Sequence, residues 1–201
     1  MPGVAVAPPG EAVAAGELLL EMAAVVAGYR RPVVGPVSLQ LARGEVLGLW
    51  GANGSGKSTL LRILGDGARL FAGRLWRRPG LSVAYQPQRP VRPHPLPLTG
   101  RELLALRAAR IERPPAALAA LLGQRLDRLS GGQYQLLLLW AALAGPADLV
   151  LLDEPGNHLD PDATGLLLTL LASARARRGV ILVSHERALL ERACQRVLVL
   201  G

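Results

Sequence analysis

Short apolar runs separated by turn residues dominate the chain, and their spacing changes from strand-like to helix-like in an ordered way. From Glu17 onward the segments LLLEMAAVVAGY, PVSLQL and GEVLGLWG have the character of strands, and the last feeds directly into the helical stretch STLLRILGDG. LSVAY, within Gly80 to Gln88, predicts another short strand, and helical spacing resumes at Arg101 to Arg113 and at Ala116 to Leu122. Continuous apolar runs at Leu149 to Leu152 and Val180 to Val183 predict strands buried on both faces, with a helix over Ala163 to Arg177 between them. Strand followed by helix followed by strand is the pattern of an α/β domain with a parallel sheet. No internal repeat interrupts it.

Two segments stand apart from this alternation. Residues 1–16 are mostly Pro, Gly and Ala, and are expected to form a flexible leader. Residues Pro87 to Pro97 are too rich in proline for a regular helix or a central strand, so an extended, semi-rigid surface is expected there.

With 201 residues, half of them apolar, the chain is long enough for one substantial domain and short for two. Gly145, Pro146 and Asp148 divide the longest apolar run before it reaches a membrane-spanning length, so a soluble protein is expected. The N-terminus lacks the charged start and apolar centre of a secretory signal. Cys194 stands alone, which rules out a disulfide framework and reads as a small buried residue in a reducing compartment. The formal charge of +8 raises the question of nucleic acid or an anionic membrane surface as a partner. The basic residues are nevertheless dispersed, with short clusters at Arg30-Arg31, Arg77-Arg78 and Arg175 to Arg178, and a solvated arginine-rich surface is the simpler reading. Of 23 basic residues, all but Lys57 are arginine.

That lysine sits in GANGSGKS, Gly51 to Ser58, which satisfies G-x-x-x-x-G-K-[ST] between a predicted strand and a predicted helix. Glycines there let backbone N–H groups wrap phosphates, Lys57 reaches the β and γ oxygens, and Ser58 is a candidate Mg²⁺ ligand. LVLLDEP, Leu149 to Pro155, ends an apolar strand in two carboxylates. Asp153 is positioned to hold Mg²⁺ and Glu154 to act as general base. VSHE places His185 just past another apolar strand. LSGGQYQLLLLWAAL, Leu129 to Leu143, opens with Ser130, Gly131 and Gly132 before an almost unbroken apolar run. Glycines so placed suit a helix N-terminus whose bare N–H groups face a phosphate.

From about Glu17 to its end the sequence resembles the ATP-binding-cassette (ABC) ATPases. It offers, in order, the phosphate loop at Gly51 to Thr59, the glutamine-loop residue Gln88 in YQPQ, the signature LSGGQ at Leu129 to Gln133, LLDE at Leu151 to Glu154, NHLD at Asn157 to Asp160, and His185. The resemblance implies a RecA-like P-loop core with an antiparallel β-subdomain and a small helical subdomain. The core would take residues 17–88 and 146–201 of a single domain over 17–201, and the helical subdomain residues 89–145.

The resemblance also implies a set of site residues. Gly51, Asn53, Gly54, Ser55, Gly56, Lys57, Ser58 and Thr59 would hold ATP, with Tyr29 stacking on the adenine. Ser130, Gly131, Gly132, Gln133 and Asp160 would contact nucleotide in a head-to-tail homodimer. Ser58, Gln88 and Asp153 would hold Mg²⁺, and Glu154, His185 and Gln88 would serve catalysis. The family often carries arginines after the signature that Tyr134-Gln135-Leu136 and Trp140-Ala141-Ala142-Leu143 lack, so weaker contacts within the helical subdomain are expected.

Most single-cassette chains of this family are ATPase subunits docked on a separate integral membrane subunit at the cytoplasmic face, sometimes served by a substrate-binding protein, without direct nucleic-acid contact. The HPLPLTGRELL stretch resembles the zinc and manganese importer ATPases. A soluble ATPase acting on ribosomes is the alternative, suggested by GNHLD and SHER, though such proteins usually carry two cassettes. A nucleotide-binding protein without hydrolysis is disfavoured by the presence of both Glu154 and His185. In transporter ATPases the region of Pro87 to Pro97 lines the groove that receives a coupling helix, which makes Arg92 and Leu96 expected contact positions.

Overall fold

In the computed structural model, residues 17–88, 97–109, 114–157 and 159–201 are described. The leader, His158, Arg92 and Leu96 lie outside them, as does most of the proline-rich segment. Among the described residues the strands form two sheets. The first is antiparallel, in the order β2-β1-β4, built from β1 (Leu18–Gly28), β2 (Pro32–Ala42) and β4 (Arg69–Arg77). The second contains β3 (Val46–Gly51), β5 (Val83–Gln86), β6 (Leu149–Asp153), β7 (Gly179–Val183) and β8 (Arg196–Leu200), all parallel, in the order β5-β6-β7-β3-β8.

The parallel sheet explains its own sequence. Every residue of β6 and β7 is buried, and the period of two sends alternate side chains to opposite faces. Leu149, Leu151, Ile181 and Val183 face one apolar cluster, shared with helix α1 (Lys57–Leu64) and the antiparallel sheet. Val150, Leu152, Val180 and Leu182 face the other, shared with α4 (Gly131–Ala144), α5 (Pro161–Arg175) and α6 (Arg187–Ala193). Leu60, Leu61, Ile63 and Leu64 of α1 are all buried. Each such side chain contributes about 1.5–3 kcal/mol when fully removed from water.

The helices between Thr99 and Ala119 are shorter than expected. Helix α2 spans Gly100–Leu106, started by a capping box in which Thr99 accepts from the Glu102 N–H and the Glu102 carboxylate accepts from the Thr99 N–H. It does not continue to Arg113: Ala108 adopts φ 49°, a left-handed conformation that no α-helix sustains. Helix α3 covers only Ala116–Ala119, and a single 3₁₀ turn at Leu126–Arg128 precedes the signature.

Strand β4 was not anticipated, and neither was the edge strand β8. In β4 the apolar alternation is broken by Gly73 at φ 83°, where a Cβ would lie 2.2 Å from the Ala24 carbonyl oxygen. That close approach accompanies a bulge in β1, where Ala24 itself has φ 50° and the register with both neighbours shifts.

The edge of the assembly away from the phosphate loop is tied by ions. Arg43 pairs with Glu17 at 3.0 Å and with Asp148 at 2.9 Å; Arg78 pairs with the same two carboxylates at 2.9 and 2.8 Å. Glu17, Arg43 and Arg78 lie at ends of the antiparallel strands and Asp148 precedes β6, so the four groups clamp one sheet to the other. Burial pushes the Asp148 carboxyl up, but hydrogen bonds from Arg43 and Ser82 outweigh it and hold the group well below its ordinary value.

The sign of the pH effect follows from this depression. Asp148 stabilises the fold fully above about pH 5, and that contribution fades as pH falls below the ordinary value of 3.8. Asp148→Asn should therefore cost about 2 kcal/mol at pH 7 and flatten the acid limb of the stability curve. Denaturant titrations of both proteins at pH 7 and pH 3 check this; parallel losses at both pH values would contradict it.

Candidate active site

Some of the polar residues singled out in the sequence lie at the carboxyl ends of the parallel strands, where open α/β sheets bind ligands; Tyr29, Ser130, Gln133 and Asp160 lie on other elements. Gly51 closes β3, Gln88 follows β5, Asp153 closes β6 with Glu154 next, and Ser184 and His185 follow β7. The long apolar strands leave these chemical groups no other place to reach solvent.

The loop between β3 and α1 has the shape expected of a phosphate cradle. Gly54 and Gly56 have φ 86° and 91°, values that side chains resist. At Gly56 a Cβ would lie 2.5 Å from Val34 Cβ, and at Gly51 one would lie 2.3 Å from the Leu200 carbonyl oxygen. Lys57 is 7% exposed and its ammonium donates to the carbonyls of Gly51 at 2.7 Å and Ala52 at 2.8 Å. Ser58 and Thr59 open α1 behind it. The buried Ser55 hydroxyl has no protein partner. A compact cation, bare loop amides and a free hydroxyl are the groups a triphosphate requires.

Asp153 is 4% exposed. Its Oδ2 accepts a hydrogen bond from the Tyr85 hydroxyl at 3.1 Å, and its Oδ1 is buried without a partner. Burial, followed by the neighbouring Asp153 charge, raises the pKa of Tyr85, so the phenol keeps its proton and remains the donor. Glu154 adopts φ 51°, and its N–H is held by the Val183 carbonyl at 3.0 Å. Its Oε2 accepts from the His185 N–H at 3.2 Å and lies 2.8 Å from His185 Nδ1. Of the three residues assigned to catalysis from sequence, Glu154 and His185 are thus in direct contact.

Ser130 caps α4 reciprocally: its hydroxyl accepts from the Gln133 N–H at 3.2 Å, and Gln133 Oε1 accepts from the Ser130 N–H at 2.9 Å. Next to it, Gly131 faces open space, with nothing within 4 Å of the position a Cβ would take. No contact within the chain requires glycine there. Farther along α4, Gln135 donates to the Pro155 carbonyl at 2.8 Å, a contact the sequence reading missed. The bond ties α4 to the segment that follows β6. Asp160 serves as the N-cap of α5, accepting from the Ala163 N–H at 2.7 Å. Tyr29 is exposed in the turn between β1 and β2, and Gln88 is exposed at the end of β5.

A family model described as ABC transporter matches residues 34–157, more than half of the chain. The chain belongs to this family. It is 38% identical over 180 residues to a zinc import ATP-binding protein ZnuC of Paracoccus denitrificans, a match that covers 85% of this chain and 70% of that protein. Among solved structures, an ATP-binding subunit of an ABC transporter superposes with a TM-score of 0.75 at 27% identity, covering 91% of this chain and 86% of the other. An archaeal ribosome recycling factor, in complex with a ribosomal stalk protein, superposes with a TM-score of 0.79 at 23% identity over 96% of this chain and 39% of that one, a likeness of fold alone.

Family membership makes this ABC domain an ATP-binding and ATP-hydrolysing one of the class that works with membrane subunits. None of its described helices is long and apolar enough to cross a membrane itself. Magnesium fits the residues present. Asp153 Oδ1 is a buried, unpartnered carboxylate oxygen, and Ser58 and Gln88 add the hard oxygen donors that the ion prefers. Among the described residues no three His, Cys, Asp or Glu side chains gather as a metal cluster.

The two classes of glycine should respond differently to a methyl group. Gly56→Ala should lower stability by about 1–3 kcal/mol, through its backbone strain and the collision with Val34. Gly131→Ala, at the first position of α4, should leave stability unchanged or raise it by about 0.5–1 kcal/mol while lowering ATP turnover. Denaturant unfolding beside a phosphate-release assay separates the two; a strongly destabilised Gly131→Ala would mean the glycine serves the chain's own fold.

Proposed function

We propose that the chain is the ATP-hydrolysing subunit of a metal-ion importer, zinc being its cargo, and that it acts as a head-to-tail homodimer docked on an integral membrane subunit. The observation carrying this reading is the intact nucleotide site within a chain this similar to a zinc import ATP-binding protein. On this reading the protein sits at the cytoplasmic face of the membrane and couples ATP hydrolysis to transport through its membrane partner, with a substrate-binding protein upstream.

Within each site the loop amides and Lys57 would bind the phosphates of ATP, and Tyr29 would stack on the base. Ser58, Asp153 and Gln88 would hold Mg²⁺, which neutralises charge on the phosphate oxygens when bound. Glu154 would accept a proton from the attacking water. His185 Nδ1 orients that carboxylate, which leaves Nε2 as the ring nitrogen available to the γ-phosphate. Ser130, Gly131, Gly132 and Gln133 would close over ATP held by the other chain, with Asp160 nearby. Open space at Gly131 supports this, because small residues at a helix N-terminus permit close approach of a phosphate from outside. Residues 89–145 would act as the helical subdomain between the two parts of the core, 17–88 and 146–201.

Complementation tests the shared site. Neither Lys57→Ala nor Ser130→Arg should hydrolyse ATP alone, whereas a mixture should recover activity through one intact composite site. Phosphate release from the pure and mixed variants is the measurement, and a mixture as inactive as its components would argue against the head-to-tail arrangement.

Transport tests the cargo. In vesicles carrying the membrane subunit, ATP should drive zinc flux, and Glu154→Gln should retain ATP binding while lowering both turnover and flux by about 10²- to 10⁴-fold. Zinc flux that ignores ATP, with ATPase activity stimulated by a different solute, would reject zinc.

A further inference from the structure

We propose that Tyr85 is a positioning residue for Asp153. The inference rests on the reading of Asp153 as a magnesium ligand. It gives a role to Tyr85, the first residue of YQPQ, to which the sequence reading assigned none.

Tyr85 and Asp153 stand on neighbouring parallel strands: Tyr85 pairs with Leu151 in the β5–β6 ladder, two residues before Asp153. The Tyr85 hydroxyl reaches forward to Asp153 Oδ2 at 3.1 Å. That bond occupies one carboxylate oxygen and fixes the rotation of the group, leaving Oδ1 buried and unpartnered as the acceptor free to take a cation. A hydrogen-bond donor on one oxygen of a ligating carboxylate sets its orientation, and removing such partners typically costs 10–100-fold in metal affinity.

An aromatic chosen only for packing would have no need of its hydroxyl in this position, so Tyr85→Phe is the discriminating change.

The test measures binding rather than turnover. In a Glu154→Gln background that prevents hydrolysis, ATP affinity is determined by equilibrium dialysis with excess Mg²⁺ and again in chelator. Asp153→Ala should abolish the gain in affinity that Mg²⁺ brings; if it does not, the reading of Asp153 as a magnesium ligand fails, and this inference with it. If it does, Tyr85→Phe should lose about 10- to 100-fold of that gain while affinity in chelator stays unchanged. A Tyr85→Phe protein with the full magnesium gain would overturn the inference while leaving Asp153 as a ligand.

Discussion

A strand buried on both faces tolerates no polar side chain along its length, and this constraint organises the whole molecule. In β6 and β7 the consequence is absolute, with every residue buried and apolar until Asp153 closes β6. Charged chemistry is displaced to the first residues past the strand ends, and because the strands are parallel those ends share one edge. The pair Asp153-Glu154 and the pair Ser184-His185 come to that edge with the phosphate loop from three separate stretches of the sequence. The opposite edge carries the reciprocal feature, the Arg43, Arg78, Glu17 and Asp148 cluster that secures the antiparallel sheet. Local stiffness at the site thus comes from apolar layers beneath it and from an ionic clasp at the far end.

The site contains groups already paired and groups left open, and the division is informative. Glu154 is committed to His185, Gln133 to Ser130, and Asp160 to the start of α5. Asp153 Oδ1 and the Ser55 hydroxyl are buried without partners. Unpartnered buried polar atoms cost free energy unless a ligand satisfies them. Ser55 belongs to the phosphate loop and Asp153 ends β6, so both of these open positions lie at the strand edge where an ATP-binding family receives its nucleotide.

Much of the site was legible in the sequence because its chemistry is carried by contiguous motifs. GANGSGKS and LVLLDEP each place their functional groups at a strand end by local geometry alone, and the structure brings them together as their spacing implied. The antiparallel sheet was only half legible. LLLEMAAVVAGY and PVSLQL read as strands, but Gly73 breaks the pattern of β4 for a reason that lies in another strand, the bulge at Ala24. Helix α2 ended early because Ala108 turns left-handed, which its alanine-rich sequence does not announce. The Tyr85–Asp153 and Gln135–Pro155 contacts were invisible for a different reason: each joins residues far apart in the chain through tertiary placement, with no spacing to betray it.

The one lysine in a chain otherwise supplied with arginine shows what the loop demands. A guanidinium is a broad planar fork, whereas an ammonium is a compact charge with three donors on a flexible stem. Lys57 spends two of those donors on the carbonyls of Gly51 and Ala52 and has one left for a phosphate oxygen. The protein consequently carries a single side-chain primary amine, buried at the centre of its nucleotide site. Amine-selective modification of the folded chain has one internal address, and protection of that amine by nucleotide becomes a direct chemical count of occupied sites.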